Sequence, residues 1–109
     1  MEVQNKLRCL EPKENDMMRN VINSIRIAYI GISKDSPKYR LADVTYNEEL
    51  THADLLMDLF IEYVEKHIGY KVFFAEQGSY VFEMQDYEEY KTFSHEMQKV
   101  KKEVRCILR

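Results

Sequence analysis

Four carboxylates, Asp54, Asp58, Glu62 and Glu65, recur at i, i+4, i+8 and i+11. On a helix that spacing lines them along one side. Two kinds of chemistry use such a set. Acid–base catalysis needs two carboxyls in unlike environments within a pocket, so that one keeps its proton while the other is ionised. Recognition of a basic surface needs only that the groups stay ionised, gathered and outward-facing, because complementary potentials steer association. These acids fall on the polar sides of amphipathic segments. The second reading is therefore preferred, and the chain is expected to be non-catalytic.

The formal charge of −3 conceals a strong asymmetry. Residues 1–42 hold eight Lys/Arg and five Asp/Glu, a net of +3. Residues 43–89 hold two Lys and twelve Asp/Glu, a net of −10, and residues 90–109 hold six Lys/Arg and two Glu, a net of +4. Glu48, Glu49, Glu83, Asp86, Glu88 and Glu89 join the acidic middle. Tyr46 stands beside Glu48 and Glu49, and Tyr87 beside Glu88 and Glu89. Tyrosine is enriched among the residues that carry binding energy at interfaces. The expected partner-binding set is Glu48, Glu49, Asp54, Asp58, Glu62, Glu65, Asp86, Glu88 and Glu89, with Tyr46 and Tyr87.

An acidic ridge repels phosphates, so direct nucleic-acid binding is disfavoured. The fitting partner is a larger protein with a basic groove, such as a nucleic-acid-processing enzyme, in which carboxylates occupy the place of phosphates. In size and charge alone, and through no specific residue, the chain resembles the compact acidic inhibitors of host defence carried by phages and mobile elements, anti-CRISPR proteins among them. That resemblance implies an inhibitor acting in a host cytoplasm. Three readings compete. The acids could simply form a solvated face. The protein could be a homodimeric structural or regulatory domain, joined by an apolar helix stripe or by sheet edges. It could also bind nucleic acid weakly through Arg26, Lys34, Lys38, Arg40 and the basic last helix. Cations near a helix C-terminus, however, are favoured by its dipole without any ligand.

Other chemistries find no motif. His52, His67 and His95 are scattered, and His95-Glu96 is followed by Lys99 where a zinc-protease helix needs a second histidine. Gly31, Gly69 and Gly78 are isolated, so there is no glycine-rich phosphate loop and no serine nucleophile elbow. Cys9 and Cys106 form no CxxC pair and read as two reduced thiols rather than a bridge. No cofactor and no metal is implied. The start lacks a basic, then apolar, leader, and no run approaches the roughly 20 apolar residues of a membrane span. A cytoplasmic, non-membrane protein is expected.

The elements follow from periodicity. A length of 109 residues with 45% hydrophobic residues suits one domain over 1–109, with residues 1–12 as an added strand or loose helical arm. Asn15 is a candidate N-cap for a helix to Ser24, with Met18, Val21, Ile22 and Ile25 on one face. Residues 25–32 fit either a continued helix or a strand. The turn cluster at 33–38 and the strand-like run 39–46 favour a hairpin. Thr51-His52-Ala53-Asp54 has capping-box spacing ahead of a helix whose face carries Leu55, Leu56, Leu59, Phe60, Tyr63 and Val64 and which Gly69 stops. Residues 70–75 and 80–84 flank a turn at Gly78. Asp86, with Glu89 three residues on, opens a last helix striped by Tyr87, Tyr90, Phe93, Met97, Val100, Val104 and Ile107. The order α-ββ-α-ββ-α predicts a two-layer α+β fold, an antiparallel sheet of about four strands with helices on one face.

Overall fold

The computed structural model describes residues 2–31 and 40–108. Its elements are α1 (Val3–Arg8), α2 (Pro12–Ser24), β1 (Arg26–Gly31), β2 (Arg40–Thr45), α3 (Ala53–Ile68), β3 (Val72–Glu76), β4 (Ser79–Met84) and α4 (Tyr87–Ile107). The class is the expected α+β, with one short helix added in front. The turn cluster 33–38 lies outside the described residues, as do the flanking Ile32 and Tyr39.

The sheet is antiparallel throughout, in the order β1-β2-β4-β3. Each hairpin thus contributes one edge strand and one central strand. The central pair sets Val44 opposite Tyr80 and Ala42 opposite Phe82. Because side chains alternate along a strand, these residues share one face, and all four are buried. The helices cover that face: the Phe93 ring of α4 sits 4.9 Å from Phe82, and α3 hydrogen-bonds Tyr80 through Asp58. The opposite face carries Ala28, Ile30, Leu41, Asp43, Val81 and Phe74 by the same register. On it Ala28, Ile30 and Phe74 are exposed, Leu41 and Asp43 are half-buried and Val81 is buried.

Several expectations are corrected. Of the strand and the loose helical arm left open for the first residues, residues 3–8 form the helix. Its Val3 and Leu7, one turn apart, are buried in the core, which a loose arm would not achieve. Helix α2 begins earlier than Asn15. Pro12, whose fixed φ suits the first helical position, starts it, and the Glu14 side chain accepts from the Glu11 N–H at 3.0 Å. Asn15 lies inside the helix at 2% exposure. Residues 26–31 are a strand, as the hairpin reading required.

The capping box at Thr51–Asp54 does not form. His52 holds the N-cap position in a left-handed conformation, φ 57°, with no side-chain cap. Asp54 is thereby left for a different partner. Leu55 is 70% exposed and leaves the predicted apolar face, which is carried by Leu56, Met57, Phe60, Ile61, Tyr63 and Val64. Gly69 ends α3 at φ 76°, a conformation that side chains with a Cβ resist. Gly78 takes φ 81° in the β3–β4 turn.

Helix α4 follows its sequence signal closely. The Asp86 carboxylate accepts from the Glu89 N–H at 2.8 Å, and Phe93, Met97, Val100 and Val104 are buried. Tyr87, at the head of the stripe, is half exposed. Replacing Asp86 by Ala removes the cap and is expected to cost about 1 kcal/mol. The loss would appear as a lower urea midpoint with an unchanged denaturant slope. No described helix is long and apolar enough to cross a membrane.

Candidate functional site

Where β2 hands over to α3, the chain builds two parallel tyrosine–aspartate pairs. Tyr46 follows the last residue of β2 and shares the helix-covered face with Val44, whose cross-strand partner is Tyr80. The two rings therefore lie side by side, centroids 6.0 Å apart. Asp54 and Asp58 sit one turn apart on α3 above them. The Tyr46 hydroxyl donates to Asp54 Oδ1 at 2.7 Å, and the Tyr80 hydroxyl donates to Asp58 Oδ1. Burial, then the hydrogen bond and charge of Asp54, push the Tyr46 hydroxyl up to about 12. Burial, then Asp58, push Tyr80 higher still. Both hydroxyls therefore hold their protons firmly and act as donors, not as bases.

Beside these pairs opens a shallow pocket of about 250 Å³, lined by Tyr46, Asp54, Asp58, Ala75, Glu76, Gln77 and Tyr80. Glu48 stands at its margin. Its Oε2 would lie 3.1 Å from a Cβ built on Gly78, and the backbone N–H of Tyr46 donates to the Gly78 carbonyl at 3.4 Å. Glu49 is on the same loop, its N–H held by Asn47 Oδ1 at 3.0 Å. Glu48, Asp54 and Asp58 thus share one end of the molecule, with Glu76 at the pocket's edge and paired by register with Ser79 on the sheet's other face. Among the described residues, none of them is ion-paired.

The remaining sequence-predicted acids are not part of this group, and four of the five have a hydrogen-bond or ion-pair partner of their own. Glu62 is bridged by Lys6 at 3.2 Å and by Lys66 at 3.7 Å, so the ridge on α3 stops there. Glu65 turns to the sheet, where its Oε2 accepts from the Val72 N–H at 3.1 Å. Asp86 caps α4. Glu88 pairs with Lys91 at 3.2 Å. Glu89 is half-buried, and its charge adds to the burial that raises the Tyr70 hydroxyl. Tyr87 packs edge-on against Tyr29 at 5.1 Å and under the Lys91 ammonium at 5.5 Å. Of the eleven predicted residues, Tyr46, Glu48, Glu49, Asp54 and Asp58 come together.

Two members of the site were not predicted. Tyr80 read as core by alternation, and it is 8% exposed; its hydroxyl is the polar handle that a buried tyrosine needs satisfied. Glu76 read as part of the turn; it lines the pocket, although the β3–β4 register pairs it with Ser79 on the sheet face away from α3. A larger cavity, about 630 Å³, lies elsewhere, between the end of α2 and the β1 and β2 ends, lined by Asn23, Ser24, Ile25, Arg26, Thr45, Tyr46 and Asn47. Its polar groups are engaged in closing the junction: Ser24 Oγ donates to the Val21 carbonyl at 2.7 Å and accepts from the Asn47 N–H at 3.0 Å. Among the described residues no three His, Cys, Asp or Glu side chains are grouped as a metal site would require, and Cys9 and Cys106 are both free and exposed. Comparison with known proteins finds no matching family, no matching curated protein and no matching solved structure.

Proposed function

We propose that this protein is a non-catalytic binding module whose acidic end docks into a basic groove of a larger protein, and that it inhibits by filling the groove where nucleic acid would lie. One observation supports the reading: Glu48, Asp54 and Asp58 gather around the Tyr46–Tyr80 pair without a described cation, while Glu62 and Glu88 are ion-paired, Glu65 is bonded to the sheet backbone and Asp86 caps α4. The tyrosines hold Asp54 and Asp58 in place, so little order is lost on binding. Unneutralised carboxylates on a rigid platform raise the encounter rate with a cationic surface and set its orientation.

The test is an NMR titration with an oligolysine peptide at low salt. Shift changes are expected to concentrate on residues 46–58 and 75–80 and to vanish as salt screens the charges. Glu48→Lys/Glu49→Lys should weaken binding by at least about tenfold. It should leave stability within about 0.5 kcal/mol, since both side chains are exposed. Glu88→Lys, at the distant pair with Lys91, serves as the control and should bind as the wild type does. Shifts spread evenly over the surface, or a charge reversal without effect, would refute the acidic end as the docking site.

A further inference from the structure

The sheet face away from the helices is the largest feature the acidic-end reading leaves unused. Its register places three rows across the strands in the order β1, β2, β4, β3. The first is Arg26, Thr45, Ser79, Glu76. The second is Ala28, Asp43, Val81, Phe74. The third begins Ile30, Leu41, Glu83. A bulge between Val72 and Phe74 inserts Phe73 as an extra residue in the edge strand. Phe73 and Phe74 are 53% and 52% exposed, and Ile30 is 38% exposed. These exposed apolar side chains stand on the two edge strands, Ile30 on β1 and Phe73 and Phe74 on β3, while Val81 and Ser79 between them are each 8% exposed.

The charges of the first row say what could cover it. Arg26 ends the row at one edge and Glu76 ends it at the other. A second copy laid face to face about a two-fold axis parallel to the strands sets β1 over the partner's β3 and β2 over the partner's β4. Each Arg26 then meets a Glu76, twice, by symmetry. In the second row Ala28 meets Phe74, a small side chain against a large one, and Asp43 meets Val81. In the third Leu41 meets Glu83. No carboxylate on this face is placed against another. A two-fold axis perpendicular to the strands would instead invert the rows and put Arg26 over Ile30.

We propose that the open sheet face is the interface of a symmetric homodimer, two sheets stacked with Arg26 of each copy paired to Glu76 of the other. Four strands about 4.8 Å apart, with about 3.3 Å per residue along each, give a small face. The interface therefore belongs at the lower end of the size range, below about 1,200 Å² in total, where association is weak and concentration-dependent.

Sedimentation of the full chain between about 5 and 500 µM tests this, because mass action fills the dimer as concentration rises. The wild type is expected to shift from monomer to dimer across that range. Phe74→Asp should hold it as a monomer with an unchanged circular dichroism spectrum. Arg26→Glu and Glu76→Arg should each weaken the dimer by about tenfold, and the double exchange should restore it. A wild type that remains monomeric throughout overturns the proposal, as does a dimer that survives Phe74→Asp. A double exchange that fails to recover association refutes the pairing even if Phe74→Asp misfolds. Neither Arg26 nor Phe74 lines the pocket of the oligolysine site, so Arg26→Glu and Phe74→Asp test the dimer separately and either proposal can fail alone.

Discussion

Phe93→Ala is expected to lower the unfolding free energy by about 3–5 kcal/mol, the range for deleting a fully buried aromatic ring. Phe93 is wholly inaccessible and stands at the meeting point of the two layers. Its ring lies 4.9 Å from Phe82 of β4 and 5.0 Å, edge-on, from Tyr70 just ahead of β3. Truncation therefore removes two ring–ring contacts as well as apolar burial, and it opens a space that backbone on three elements must collapse to fill. A domain of this size has roughly 5–15 kcal/mol in all. The variant should thus approach marginal stability, with its thermal midpoint down by at least about 10 °C. Calorimetry with the exposed Phe73→Ala variant as control reads the difference. An equal effect at both positions would mean that the sheet and helices do not meet at Phe93.

The second large effect is set by alkali. The Tyr80 hydroxyl is raised by burial and by the carboxylate of Asp58, and Tyr46 is raised to about 12 by burial and Asp54. In the unfolded chain both ionise near about 10. Below that pH both states keep the proton and the stabilisation is complete. Above it the unfolded state releases protons that the folded state retains, so stability falls as pH rises through the folded values. Each retained proton contributes a slope of about 1.4 kcal/mol per pH unit. Urea unfolding at steps from about pH 9 to 12 should show the decline. Tyr80→Phe should flatten it, at a cost near neutrality of about 0.5–1.5 kcal/mol for the lost hydrogen bond. Equal slopes in the two proteins would remove Tyr80 from the account. Tyrosinate absorbance gives an independent reading, with Tyr80 the last of the site's tyrosines to ionise.

What the chain disclosed in advance was local. Asp86, the stripe from Phe93 to Val104, the stop at Gly69 and the turn at Gly78 each depend on residues within a few positions, and periodicity finds such features. The acidic ridge failed where its fate depended on distance. Glu62 is neutralised by Lys6, 56 residues earlier, and Glu65 is taken by a backbone N–H of the following strand. Helical spacing can place four carboxylates on one side. It cannot say which of them a remote segment will consume. The same limit hid Tyr80, whose place beside α3 is fixed by pairing between strands from different hairpins. Leu55 was misplaced because a wide apolar run on α3 exceeds the width the core accepts. The His52 N-cap shows tertiary geometry overriding a plausible capping box, which frees Asp54 for Tyr46.

Helix α1 is only six residues long, yet its Val3 and Leu7 are sealed in the same interior as Leu108 near the other end of the chain. The interior cannot close on α1 until α3 and α4 exist to receive it. During synthesis α1 emerges before α3 and α4, and its apolar side stays uncovered until they follow. A stall or truncation between α1 and α4 would therefore expose Val3 and Leu7 as an aggregation-prone surface.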